Sequence, residues 1–306
     1  MNVISLCTKI LGKRSFLAVL IGLIVILALG VTFFSRNPVI LVTDSAFTVL
    51  YGEKRSLSRQ ISLSLRLWRP VKTITIAEGA GPDLVVQGAA SLSRRPFAVF
   101  FPYRYKDGAL RYLQTRPGSL VVILGGRKPW EAESNGNAAW FYTDTVADLY
   151  YAGVIAGLFV NYDNKNRDIA LFYKEINNTE KTAFMEGLED QKWFGSPLFS
   201  PDSIKIDLAC AVVLKDFRFS GEEKPRSFIL FSWMDPAMAP QRTLAIFDDS
   251  PWTQIGPALD LIRKGRQSGL IPSEIIVCRR DKPQKSLYNE INRIKNLRKT
   301  TENADN

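Results

Sequence analysis

DTVADLYYAGVIAGLFV (Asp144–Val160), NYDNKNR (161–167) and DIALFYKE (168–175), followed after Ile176 by NNTEKTAFMEGLED (177–190), form the stretch whose reading decides the fold. The first segment is apolar nearly all round. Ala152, Gly153, Ala156 and Gly157 set small side chains four residues apart, the spacing that lets one helix pack closely on a neighbour. The segment 168–175 is rich in aliphatic and aromatic residues and reads as a buried strand. Asn177 stands three residues before Glu180, the spacing of a helix cap with its reciprocal partner. Helix, strand and helix in succession at the middle of a chain predict the passage from one α/β lobe to another.

Working towards the N-terminus, PVILVTD (38–44) is a continuous apolar run ending in a carboxylate, the mark of a buried parallel strand. Leu57, Ile61, Leu65 and Trp68 recur at helical spacing until Pro70. VKTITIA (71–77), PFAVFFPYRY (96–105) and SLVVILGG (119–126) read as further strands, DGALRYLQTR (107–116) as a short helix, and AWFYTD (139–144) leads into the central stretch. GPDLVVQGAASL (81–92) fits either strand or helix. Towards the C-terminus, RSFILFSWMD (226–235), TLAIFDDS (243–250) and SEIIVCRRD (273–281) read as strands, and Ser250–Pro251 as a helix start interrupted at Gly256–Pro257. SIKIDLACAVVL (203–214) fits one long strand or a strand and a helix, and Leu287, Ile291, Ile294 and Leu297 fit one stripe of a docked helix.

Alternation of this kind predicts mostly parallel sheets flanked by helices in two lobes, with ligands expected beyond the carboxyl ends of the strands. Residues at those ends include Asp44, Ser45, Glu78, Phe101, Tyr103, Arg104, Arg127, Trp130, Asp144, Trp233 and Asp235. Aromatic faces, guanidinium groups and carboxylates together suit a flat or polyhydroxylated small molecule. Gly125-Gly126-Arg127-Lys128 lacks phosphate-loop spacing, and Pro129 makes it a turn. Asp248 and Asp249 are adjacent, so in a strand their side chains diverge and do not form a paired acidic site.

Other chemistry is narrowed by composition. The 306 residues contain no histidine, which excludes the usual serine triad and histidine-ligated zinc. Cys7, Cys210 and Cys278 are too scattered for a zinc ribbon, and the last two, in apolar surroundings, fit buried thiols better than a disulfide. No nucleophile with a base beside it is visible, so the chain reads as a non-enzyme without cofactor or metal.

From Ser15 to Phe34 the chain is uncharged, long enough to span a bilayer as a helix, with Lys9, Lys13 and Arg14 before it. The charge bias puts residues 1–14 in the cytoplasm and the body outside the cytoplasmic membrane as a single-pass, periplasmic protein. A cleavable signal peptide is the alternative, with Ala28 and Gly30 as its small residues, though the apolar run continues through Phe34. The expected organisation is therefore a basic segment (1–14), an anchor or signal segment (15–34), a first α/β lobe (35–160), a second (161–281) with a possible crossover of its C-terminal part, and a polar tail (282–306). Of the net charge of +10, Lys9, Lys13 and Arg14 carry three, and the remaining +7 fits a body lying beside anionic headgroups, with no nucleic-acid motif accompanying it.

Three places carry a family resemblance. VILVTDSAF (39–47), the segment 144–158 with its two Ala-Gly pairs, and the strand 168–172 followed by FMEGL (184–188) resemble, in order and spacing, the type I periplasmic binding protein fold. Within it they look most like the basic membrane protein family of nucleoside-binding lipoproteins. The chain departs from that family in lacking a lipid-attachment cysteine after its apolar run and the glycine-rich continuation of the first strand. The resemblance implies a membrane-anchored solute-binding protein for a small polar, nucleoside-like ligand, with a transporter permease as partner. Asp44, Ser45 and Asp144 would then meet ligand hydroxyls, Phe101, Tyr103 or Trp233 stack, and Arg127 or Asp235 set selectivity. An envelope interaction or sensing module that kept the scaffold without the ligand is the alternative.

Overall fold

A computed structural model describes residues 3–91, 95–127, 138–163, 168–199, 208–214, 225–278 and 285–304. Helix α1 (Val3–Ser35) opens the chain, and its portion Ala18–Ser35 is apolar, long enough to cross a membrane, and has no residue buried among the described residues. Then follow β1 (Val39–Asp44), α2 (Ser45–Tyr51), α3 (Glu53–Leu67), β2 (Val71–Ile76), α4 (Pro82–Ala90), β3 (Ala98–Pro102), α5 (Lys106–Thr115), β4 (Leu120–Leu124) and β5 (Ala138–Thr143). Helix α6 (Thr145–Asp163) leads to β6 (Ile169–Phe172), α7 (Asn178–Asp190), β7 (Leu198–Phe199), β8 (Cys210–Val213), β9 (Ser227–Phe231) and β10 (Thr243–Asp248). Helix α8 (Pro251–Arg263), β11 (Ser268–Ile271), β12 (Glu274–Val277) and α9 (Lys285–Ala304) complete it.

The strands form two six-stranded sheets, in the orders β11-β5-β4-β3-β1-β2 and β12-β10-β9-β8-β6-β7. All pairings are parallel except that of β12 with β10. The chain passes between sheets three times, after β5, after β10 and between β11 and β12. Residues 251–271, in the range expected for the second lobe, thus serve the first sheet: β11 pairs with β5, and Trp252, Ile255 and Leu259 of α8 lie in the core beneath β1, β3 and β4. The ambiguous segment 81–92 forms α4, with Pro82 in its first turn. In 203–214 only the part from Leu208 is described, and it contains β8.

Helix α8 runs unbroken through Gly256 and Pro257, against the expected interruption. An interior proline costs a helix about 3 kcal/mol. Burying Trp252, Ile255 and Leu259 returns roughly 1.5–3 kcal/mol apiece, so packing decides. In α9, Leu287, Ile291 and Ile294 turn inward while Leu297 is exposed. In α3 the inward residues are Leu63 and Leu67, and the regular stripe Leu57, Ile61, Leu65 and Trp68 faces out.

The glycines of the central stretch explain how α6 and α7 meet. A Cβ on Gly153 would stand 2.3 Å from the Phe184 carbonyl oxygen, and one on Gly187 would stand 2.0 Å from that of Tyr150. Each helix therefore presents a bare backbone to the other's, and no side-chain rotation relieves an added methyl. Asn177 caps α7 as its spacing predicts: it accepts from the Glu180 N–H at 2.9 Å while Glu180 accepts from the Asn177 N–H at 3.1 Å. Gly187→Ala should lower the unfolding free energy by roughly 1–3 kcal/mol or more, the range for overpacking a filled contact. A urea titration of purified variant and parent checks this; a midpoint unchanged within error would contradict the packing.

Candidate functional site

The cleft forms where the carboxyl ends of the two sheets meet. After β4, Gly125 and Gly126 adopt φ of 79° and 75°, a conformation side chains other than glycine's rarely take. The resulting turn brings the backbone against Tyr103, whose ring would lie 2.6 Å from a Cβ at Gly126. A cavity of about 320 Å³ opens beside it. Tyr103, Arg104, Arg127 and Thr143 line it from the first lobe, Glu175, Leu214, Phe231 and Trp233 from the second, with Asp249 and Ser273 where the chain crosses between them.

Of the residues singled out at strand ends, Tyr103, Arg104, Arg127 and Trp233 share this cavity. The others lie elsewhere. Phe101 is fully buried in the core behind β3, against Tyr112. Asp44 is fully buried too: it accepts from the Phe47 N–H at 2.8 Å and from the Tyr105 hydroxyl at 2.7 Å, and it pairs with Arg104. Ser45 begins α2 and is exposed. Asp144 accepts from the Ala147 N–H at 3.1 Å at the start of α6, and Asp235 from the Ala237 N–H at 2.9 Å in the turn after β9. Lys128, Pro129 and Trp130 lie outside the described residues.

Arg104 links the two chemistries of the cleft, pairing with Asp44 while its guanidinium stands 5.4 Å from the centre of the Trp233 ring. The Trp233 indole N–H donates to Asp249 at 2.6 Å, and Asp249 also accepts from the Thr143 hydroxyl at 3.1 Å. Arg127 donates across the cleft to the Glu175 carbonyl at 2.7 Å and lies 3.6 Å from the Glu180 carboxylate. Asp248 and Asp249 diverge as their adjacency requires. Asp248 pairs at 2.5 Å with Arg55 of α3, which also donates to the Met234 carbonyl at 3.1 Å. Burial pushes the Asp248 carboxyl up to about 6 against the pull of Arg55 and the Ser250 N–H. The Tyr105 hydroxyl, partly desolvated and hydrogen-bonded to Asp44, is pushed up to about 12. Cys210 is a free buried thiol, and Cys278 is buried. Among the described residues no three Cys, Asp or Glu side chains converge as a metal site requires.

Behind the cavity, Asp148 of α6 is fully buried and holds two distant parts of the chain. It accepts from the Ser273 N–H at 3.0 Å and from the Ser273 hydroxyl, in the link between β11 and β12, and from Arg298 of α9 at 2.5 Å. Desolvation outweighs these partners and pushes its carboxyl up to about 6.

The sequence matches no family profile and no curated protein. Solved structures do resemble it. An ABC transporter system solute-binding protein from Conexibacter woesei aligns with a TM-score of 0.54 at 13% identity over 87% of this chain and 97% of its own. A transcriptional activator of the comK gene from Bacillus halodurans aligns at 0.52 and 9% identity over 84% and 95%, and a LacI transcriptional regulator from a Rhodococcus species at 0.50 and 13% over 80% and 97%. The chain therefore has the two-lobed type I periplasmic-binding-protein fold, the fold of solute-binding proteins and LacI-type regulators alike.

A carboxyl raised from the ordinary range near 4 to about 6 adds stability that is fully present below pH 4 and is lost as pH rises through 6. Asp148→Asn removes that titration and leaves the buried Arg298 cation without its anion, at a cost of about 3 kcal/mol. The stability gap between parent and variant should therefore widen as pH falls from 7 to 5. Urea titrations at three pH values in that span check it, and a constant gap would contradict the shift.

Proposed function

We propose that the chain is a membrane-anchored, extracytoplasmic solute-binding protein whose lobes close on a small polar ligand. The observation that carries this reading is the cavity of about 320 Å³ at the carboxyl ends of both sheets, lined by three aromatic rings and two guanidinium groups. Its volume falls in the range of ordinary ligand pockets, as does the mixture of apolar walls with a few placed polar groups. A flat ligand with polar edges, nucleoside-like in shape, fits Trp233 and Phe231 as stacking faces and Arg127 and Asp249 as edge partners. The basic membrane protein family resemblance supports the same ligand class, and a transporter permease is the natural partner. Helix α1 is the feature that supports anchoring, with the lobes on the outer face of the cytoplasmic membrane.

One observation favours a second reading, an envelope interaction or sensing module without a ligand. The acidic groups in and beside the cleft are engaged by the protein itself, Asp44 by Tyr105 and Arg104, Asp249 by Trp233 and Thr143. A ligand would have to displace those partners or bind the edges they leave.

Thermal-shift screening of the detergent-solubilised chain against nucleosides, bases, sugars and amino acids separates the two. A ligand at 100 times its Kd should add about 2.7 kcal/mol of stability. Trp233→Ala should then weaken that ligand about tenfold, near 1.4 kcal/mol, by removing the stacking face. Silence across every ligand class would favour the second reading.

A further inference from the structure

One face of the first lobe carries an apolar stripe that the described core does not use. Leu57, Ile61 and Leu65 of α3 are 57%, 52% and 63% exposed, and Trp68, which ends the helix, continues the same stripe at 37%. The opposite face of α3 already fills the core through Leu63 and Leu67, so the outer stripe is surplus to folding. Contiguous apolar surface of this kind on a soluble body marks an interaction site.

What it faces follows from where it ends. The Trp68 ring packs edge-on against Phe33 of α1 at 5.6 Å, Phe33 packs on Phe34 at 5.1 Å, and Arg36 donates to the Trp68 carbonyl at 3.4 Å. The stripe is thus continuous with the end of the apolar helix, and aromatic rings gather where hydrocarbon meets headgroups. Cations surround the junction. Arg66 and Arg263, more than half exposed, bracket Asp260 at 2.6 and 3.1 Å. Arg69 donates to the Asn37 carbonyl at 3.4 Å and lies over the Phe97 ring at 4.1 Å. Burial first, then the neighbouring Arg36 and Arg263, hold the Arg69 guanidinium below its ordinary value, as expected where cations crowd together. Four guanidinium groups and one carboxylate leave a strongly positive collar beside an apolar stripe, the arrangement of a helix lying in the plane of an anionic bilayer surface.

We propose that this face, the α3 stripe with the arginines at the foot of α1, docks on the surface of the bilayer that α1 spans and binds anionic phospholipid headgroups. The proposal rests on the reading of α1 as a membrane anchor. Docking holds the first lobe on the membrane surface.

The test uses the full chain with Ile61→Cys and Cys7→Ser, carrying a nitroxide at 61, in phosphatidylcholine vesicles with and without phosphatidylglycerol. Resistance to carbonate extraction reports on α1, and accessibility of the nitroxide to oxygen against a water-soluble nickel chelate reports on the stripe. The expected result is a carbonate-resistant chain whose label is shielded from the chelate in anionic vesicles, with shielding reduced when phosphatidylglycerol is omitted. The label is on an exposed side chain, so folding is not at stake, and Leu65→Cys repeats the measurement on the same face. A resistant chain whose label stays as open to the chelate as in detergent overturns the docking and leaves the anchor standing. Extraction by carbonate overturns both. Dipolar coupling between labels on two chains shows that a second copy covers the stripe and also overturns the proposal.

Discussion

The two lobes share one polypeptide that passes between them three times, and a buried carboxylate holds two of those passages together. Asp148 lies in the first turn of α6, just past the first crossing, and grips Ser273 at the third. Arg298 reaches the same carboxylate from α9. The second crossing is tied in through Asp249, which receives the Thr143 hydroxyl from the end of β5. Burying Asp148 without those donors would cost several kcal/mol. The network therefore ties the start of α6, the link between β11 and β12, and the ends of β5 and β10 together at the edge of the cleft.

That constraint explains why the cleft is bounded as it is. With the crossings fixed, the turn after β9 carries Trp233 and Asp235 over to α2 and the start of α3, where Phe47 meets the Trp233 ring at 5.3 Å and the Asp235 N–H donates to the Leu50 carbonyl at 3.0 Å. Arg55 closes the same side through Asp248. On the other side Arg127 reaches the Glu175 carbonyl. Side chains of one lobe thus act as partners for backbone of the other, and the cavity is the space left between them.

Much of the fold was legible in residue patterns because burial repeats with the period of the element. The Ala-Gly spacing of 152–157, the apolar runs and the Asn177 cap all reappear in α6, the strands and α7. Strand β11 was not legible, since SGLI is short, half exposed and recognisable only by its pairing with β5. Direction along α3 was equally hidden: a periodic stripe says which residues share a face, not which face is covered. At the cleft, strand ends located the region but not the lining. Phe101 and Tyr103 are two residues apart, yet one fills the core and the other walls the cavity, because a 3-10 turn at Tyr103–Tyr105 redirects the chain. The partnership of Asp44 with Tyr105, 61 positions away, has no local signature at all.

The late arrival of β11 also bears on the order in which the protein is made. A chain emerging from its N-terminus has β1 to β5 long before it has residues 251–271, so the first sheet waits with an unpaired edge along β5 and without the helix that covers one of its faces. The second lobe, in turn, lacks its Arg298 contact until α9 has been added. Neither lobe is a product of its own half of the chain. Each half is complete only once segments from beyond residue 250 have joined it, and so is the cleft between them.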